Sequence, residues 1–195
     1  MAGKRVFAFI GHPGPKSLCA SLVSAYLDGV KEGGHEVRSL NLAAMNFDPN
    51  LEGGHYQTTA PLEADLRAFW DNLQWCEHFV LGHPLWWGGF PARLKGVFDR
   101  VLLPGAAYDP SSKWPLPKPL LKGRSARVLI TADTPGFFLR LAYGNAILKQ
   151  TDRQVFRICG IRPNRFSVFS PVKRSTDEKR RSWLNTARAL GRKDV

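Results

Sequence analysis

The sequence predicts an α/β domain in which a five-stranded parallel sheet, of strand order 2-1-3-4-5, is covered by helices on both faces. Three observations carry this. Short apolar runs alternate with amphipathic helical patterns along the whole chain, and strands separated by helices pair in parallel through right-handed crossovers. The 195 residues suffice for one domain that buries roughly 70% of its unfolded surface and are short for two, so a single domain over 1–195 is expected. Five units in this length suit a five-stranded doubly wound sheet better than a six-stranded dinucleotide-binding one. Apolar residues at 44% and charged residues at 23% are ordinary for a soluble globular protein.

Taken in order, Arg5–Ile10 reads as strand one and Ser17–Lys31 as a helix closed by Gly33-Gly34. Glu36–Leu42 is strand two, followed by an irregular stretch to about Ala60. Pro61–Cys76 reads as a helix with proline in its first turn and Leu66, Phe69, Trp70 and Leu73 on one face. His78–Gly82 is strand three and Pro91–Leu103 the next helix. Residues 104–124 carry five prolines, and a connection of that length is expected to belong to a site or an interface. Arg127–Thr131 is strand four, 138–158 a helical region, Arg165–Phe169 strand five, and Thr176–Leu190 a last helix capped by Ser175 or Thr176.

The opening apolar run Val6-Phe7-Ala8-Phe9-Ile10 is too short for a signal core or a membrane span. A cytoplasmic protein with no stable membrane insertion is expected. Cys19, Cys76 and Cys159 form no CxxC pair and lack a histidine at ligand spacing, which argues for buried structural thiols and against a disulfide framework or a metal site. The 28 Lys and Arg against 16 Asp and Glu give a net charge of +12. The cations are interleaved with acidic and apolar residues and accompany no nucleic-acid motif, so a solvated basic face is expected, with electrostatic favouring of anionic cofactors the second reading and a nucleic-acid or membrane surface the third.

The most informative run is His83 to Arg100. An apolar strand breaks at Pro84, passes through Leu85-Trp86-Trp87-Gly88-Gly89, and restarts as a helix with Leu94, Val97, Phe98 and Val101 at helical spacing. This places flat aromatic surface and free backbone amides at the carboxyl edge of the sheet, where open α/β sheets bind ligands. A planar, partly polar ring such as a flavin suits both features. In the first strand-to-helix turn, Gly11-His12-Pro13-Gly14-Pro15-Lys16-Ser17, Pro15 stands where a P-loop needs glycine, and no GxGxxG occurs. A hydroxyl at the start of a helix remains. Ser17 with the amides of Leu18 and Cys19 holds a phosphate, or Ser17 only caps the helix; the spacing does not choose.

With these segments in view the chain resembles the flavodoxin-like NAD(P)H:quinone oxidoreductases, the family of the quinone reductases and the bacterial modulators of drug activity. The matching residues are Ala8-Phe9-Ile10-Gly11-His12-Pro13 with Ser17; Leu40-Asn41-Leu42 with Met45-Asn46-Phe47-Asp48-Pro49; Pro84 to Gly88 with Pro91-Ala92, Leu94-Lys95-Gly96 and Asp99-Arg100-Val101; and Gly105-Ala106-Ala107-Tyr108. The resemblance implies a flavodoxin-like three-layer sandwich, a homodimer, and one flavin per subunit, with FAD favoured over FMN. NAD(P)H would be the hydride donor and a quinone or similar small molecule the acceptor. By position, His12, Ser17, Leu18 and Cys19 would surround the flavin phosphate. Pro84, Leu85, Trp86, Trp87 and Gly88 would pack on the ring, and Tyr108 would contact the acceptor.

After strand four, Thr131-Ala132-Asp133-Thr134-Pro135 resembles the Thr-x-Asp-Thr-Pro signature of a bacterial branch and would frame the flavin. Asp133 brings a carboxylate that would oppose an anionic reduced ring, so it is expected to turn away, capping the following helix or pairing with an arginine. Phe137, Phe138 and Tyr143 fall in the region from which the family assists hydride transfer, without a residue-by-residue match. Two other functions are compatible with the fold: a flavodoxin-type one-electron carrier, and an ancillary subunit of a potassium-efflux system.

Overall fold

The computed structural model describes residues 3–51, 61–111 and 116–195. The stretch expected to be irregular up to Ala60 lies outside the described residues from 52 onward, as do residues 112–115 of the proline-rich connection. The elements are β1 (Arg5–Ile10), α1 (Leu18–Glu32), β2 (Glu36–Asn41), a 3₁₀ turn Leu42–Ala44, α2 (Ala64–Trp75), β3 (His78–Pro84) and α3 (Ala92–Val101). They continue with β4 (Tyr108–Asp109), β5 (Lys118–Pro119), β6 (Ser125–Thr131), α4 (Gly136–Leu141), α5 (Ala146–Gln150), a π-helical segment Thr151–Phe156, α6 (Arg157–Cys159), β7 (Asn164–Phe169) and α7 (Asp177–Asp194).

The main sheet has the order β2-β1-β3-β6-β7, every pairing parallel. With β6 and β7 as the fourth and fifth sheet strands, this is the expected 2-1-3-4-5 order. The short pair β4–β5, absent from the sequence reading, is antiparallel and lies within the proline-rich connection.

The sheet is apolar on both faces because both are covered. On one side Val6 and Ala8 of β1, with Val80 and Leu129, pack against Leu22, Val23 and Tyr26 of α1 and Trp183 and Ala187 of α7. On the other, Phe7 and Phe9 join Phe79, Leu81, Val128 and Ile130 against Leu66, Phe69 and Leu73 of α2 and Leu94, Val97 and Phe98 of α3. Alternate residues of one strand thus serve two cores. Helices α1 and α7 meet backbone to backbone: a methyl group on Gly29 would strike the Arg188 carbonyl, and one on Gly191 the Tyr26 carbonyl.

Three boundaries differ from expectation for local reasons. Helix α2 begins at Ala64 rather than Pro61, with Glu63 at the N-cap position; the Glu63 carboxylate pairs with buried Arg100 at 2.8 Å. Strand β3 runs to Pro84, two residues beyond Gly82. A proline with no N–H is tolerated at a strand's end, and Pro84 pairs with Thr131. The helical region expected over 138–158 is interrupted where Gly144 (φ +57°) and Asn145 (φ +54°) turn left-handed, which ends α4 and starts α5 in a new direction.

Candidate functional site

The chain passes from β1 to β2 on one side and then to β3 on the other, so the carboxyl ends of β1 and β3 flank the switch point of the sheet. The two strand exits are joined by the Gly11 N–H donating to the Gly82 carbonyl at 2.7 Å. Here an open cleft of about 250 Å³ is lined by His12, Lys16, Ser17, Leu18, Cys19, Pro84, Leu85, Trp86, Thr131, Ala132, Asp133 and Val172. Ten of the residues proposed from sequence meet in it.

The loop from β1 is closed on itself. The Gly14 N–H donates to His12 Nδ1 at 2.9 Å, so a neutral His12 ring carries its proton on Nε2. The His12 ring stands edge-on to Trp86, 5.8 Å between centres. Ser17 is the N-cap of α1, its hydroxyl accepting from the Ala20 N–H at 3.1 Å. Capping leaves the amides of Leu18 and Cys19, which have no intrahelical acceptor, at the cleft end of a 15-residue helix. The cap reading and the anion reading of Ser17 are therefore compatible. Cys19 Sγ lies 2.9 Å from Thr131 Oγ1, tying α1 to the end of β6. Burial pushes its thiol up to about 11, so it stays protonated.

The far wall comes from the ends of β6 and β7. The Ala132 N–H donates to the Phe169 carbonyl at 3.1 Å and the Val172 N–H to the Ala132 carbonyl at 3.0 Å. Asp133 turns away, but to neither of the expected partners. Its carboxylate accepts from the Lys173 N–H at 2.7 Å, while α4 begins without a side-chain cap.

Trp86 to Gly89 forms a two-residue reversal in which the amide of each end bonds the carbonyl of the other, at 3.1 and 2.9 Å. Both central residues are left-handed, Trp87 at φ +49° and Gly88 at φ +75°, as a type I′ turn requires. The Leu85 N–H is taken by the Thr131 carbonyl at 2.8 Å. Among the described residues, the backbone donors this turn leaves unused are those of Trp87 and Gly88. The two indoles diverge: Trp86 lines the cleft, while Trp87 is fully exposed.

A second cavity, of about 550 Å³, abuts the first through Leu85. It collects Trp87, Gly88 and Thr134 with Leu139, Tyr143 and Asn145–Leu148. Tyr108 lies in neither; on β4 it lines a third cavity of about 360 Å³ with Lys95, Phe98 and Asp99 of α3. Sequence reasoning passed over Lys16, Val172 and the α5 residues, although the Gly144-Asn145 pair was a turn signal for the break that exposes α5. It gave His83, the first residue of its most informative run, no role of its own; the side chain is wholly buried. Its Nδ1–H donates to the Pro84 carbonyl at 2.9 Å, its Nε2 has no partner among the described residues, and burial lowers its pKa to about 4.

A flavin fits these groups. The helix terminus offers amides and a positive dipole end to a phosphate. The Trp87 and Gly88 amides suit the acceptor edge of a ring, and space is open beside Gly88. Among the described residues there is no cluster of three metal-ligating side chains, and no helix is long and apolar enough to cross a membrane.

Comparison with known proteins bears on the family and the fold. Residues 4–190 match the family model described as a flavodoxin-like fold, and the chain belongs to that family. It is 28% identical over 160 residues to an NAD(P)H oxidoreductase of Haemophilus influenzae, covering 80% of this chain and 78% of that protein. It is 32% identical over 128 residues to a ribosyldihydronicotinamide dehydrogenase [quinone] of Pongo abelii, a match spanning 56% of this chain and about half (55%) of the relative. Among solved structures, an NAD(P)H:quinone oxidoreductase from Methanothermobacter marburgensis superimposes with a TM-score of 0.81 at 25% identity, over 98% of this chain and 96% of that one.

Proposed function

We propose that this protein is a flavin-dependent NAD(P)H:quinone oxidoreductase. The observation that carries the reading is the convergence, at the switch point, of a helix terminus with free amides and an aromatic turn with two unused backbone donors. The names of the H. influenzae and M. marburgensis proteins support it. When bound, the flavin accepts hydride from NAD(P)H and passes two electrons to the acceptor. The protein supplies position. Leu18 and Cys19 amides hold the ribityl phosphate, and Lys16 on the same cleft supplies a cation for an anionic flavin, of which FAD is the form we favour. Leu85 and Trp86 wall the ring, and the Trp87 and Gly88 amides donate to its edge. Trp87, Tyr143 and Ile147 line the apolar cavity where a quinone-like acceptor or the nicotinamide lies against it.

A second copy completes the enzyme as a homodimer, covering the exposed Phe137, Phe138 and Leu141 of α4, a run of apolar surface unusual for a lone subunit. Three unpaired, buried cysteines suit a reducing, cytoplasmic setting. Purified protein will be yellow and will bleach with NAD(P)H without oxygen, and mass analysis of the released chromophore will give FAD. A colourless protein that no flavin reconstitutes overturns the reading.

A further inference from the structure

At the edge of the sheet opposite the cleft lies a closed polar network that the proposed reaction does not use. Asp194, at the end of α7, has a carboxylate only 2% exposed. It accepts from Arg127 Nε and Nη2 at 2.6 and 2.8 Å, from Arg165 Nη1 at 2.8 Å, and from the Tyr26 hydroxyl at 3.1 Å. Because Tyr26 gives its proton to Asp194, it accepts from His78 Nε2–H at 2.9 Å. His78 Nδ1 in turn accepts from Ser125 Oγ–H at 2.7 Å. Arg127 Nη1 reaches Ser167 Oγ at 3.1 Å. The chain of donors has one polarity throughout, and it joins α1, α7 and the first residues of β3 and β6.

Buried ion clusters of this kind are weak sources of stability compared with apolar packing; what they specify is geometry. The element specified is α1. Cys19, in its first turn, is tied to Thr131 beside the cleft, and Tyr26 lies seven residues on, about 10 Å along a rigid helix. Between α1 and α7 the backbones touch at Gly29 and Gly191, so α1 cannot slide independently of α7. We propose that Asp194 and Tyr26 are positioning residues: docking of the α7 end fixes the axial register of α1, and so the placement of the Leu18 and Cys19 amides for the phosphate. This rests on the flavin reading of the cleft.

The test uses the full chain with Tyr26→Phe, which cuts the link while leaving the Asp194–arginine pairs intact, and Asp194→Asn. FMN and FAD carry the ribityl phosphate and riboflavin lacks it. Both variants are expected to bind FMN and FAD about fivefold more weakly, the scale of one helix-terminus interaction, with riboflavin affinity unchanged. Hydrogen exchange at Ala20 and Ser21, whose amides bond Ser17, is expected to quicken, although neither substitution touches that turn. Equal losses for riboflavin and FMN, or unchanged exchange at Ala20 and Ser21 in folded Tyr26→Phe, overturn the proposal. Failure of the unsubstituted protein to bind any flavin overturns the functional reading instead, and the exchange measurement still decides the positioning role.

Discussion

Replacing Trp87 by asparagine should make the protein more stable and a poorer enzyme. Trp87 holds φ +49°, and the left-handed region costs a residue with a β-carbon about 1–2 kcal/mol. Asparagine is among the residues that the first central position of a type I′ turn prefers. The indole is 106% exposed relative to an extended reference, so its removal forfeits no buried area to set against that relief. The expected gain is about 1 kcal/mol, or a rise of about 2–4 °C in Tm for a chain of this size. Thermal unfolding followed by circular dichroism on flavin-free protein measures it, with Trp87→Ala as control. Alanine removes the same ring but keeps the strain, and should gain nothing. Flavin content should be unchanged while turnover of the acceptor falls, because Trp87 lines the second cavity. An asparagine variant that melts at or below the parent, or an alanine variant that gains as much, refutes strain as the reason.

Acid should weaken the fold before its carboxylates titrate. His78 and His83 are buried with pKa values near 4, burial being the main cause in each. As pH falls below about 6.5 the unfolded chain binds these protons and the native state does not, so stability present above 6.5 is lost down to about 4. Each site removes about 3 kcal/mol over that window; urea unfolding at pH 7 and 4.5 measures the loss, and a flat profile contradicts it. Gly191→Ala should lower Tm, since opening the α1–α7 crossing costs about 2 kcal/mol against about 1 kcal/mol gained in helix propensity; a higher Tm would show that the crossing yields. Arg100→Met strands the Glu63 carboxylate and the Asp48 carbonyl, which Arg100 Nη1 reaches at 2.5 Å. A loss of about 2 kcal/mol in urea unfolding is expected, and no loss would show that water replaces the guanidinium.

The sheet was legible because parallel strands covered on both sides read as unbroken apolar runs, as in Val6–Ile10 and Phe79–Leu81. Pro84 misled at the end of β3, where a strand no longer needs a donor. The cleft was legible as far as it is built from strand ends and the turns that follow them. The second cavity was not. Its wall depends on the left-handed pair at Gly144 and Asn145 and on a fully exposed tryptophan in a conformation that its residue type disfavours, and neither follows from apolar periodicity. Asp133 shows the same limit: its carboxylate bonds an amide forty residues away, and only the pairing of β6 with β7 brings the two together.

All three thiols are buried, Cys19 and Cys76 with pKa values near 11 and Cys159 near 12, burial being the leading cause. At neutral pH only about one in ten thousand or fewer of them is ionised, and the thiolate is the form that attacks electrophiles. Quinones alkylate exposed thiolates, so a catalyst that handled them with a reactive cysteine near its ring would poison itself. In this fold Cys19 Sγ is tied to Thr131 Oγ1 and Cys76 Sγ to the Leu73 carbonyl, and although Cys19 and Cys159 border cavities, all three residues are at most 3% exposed and hold their protons.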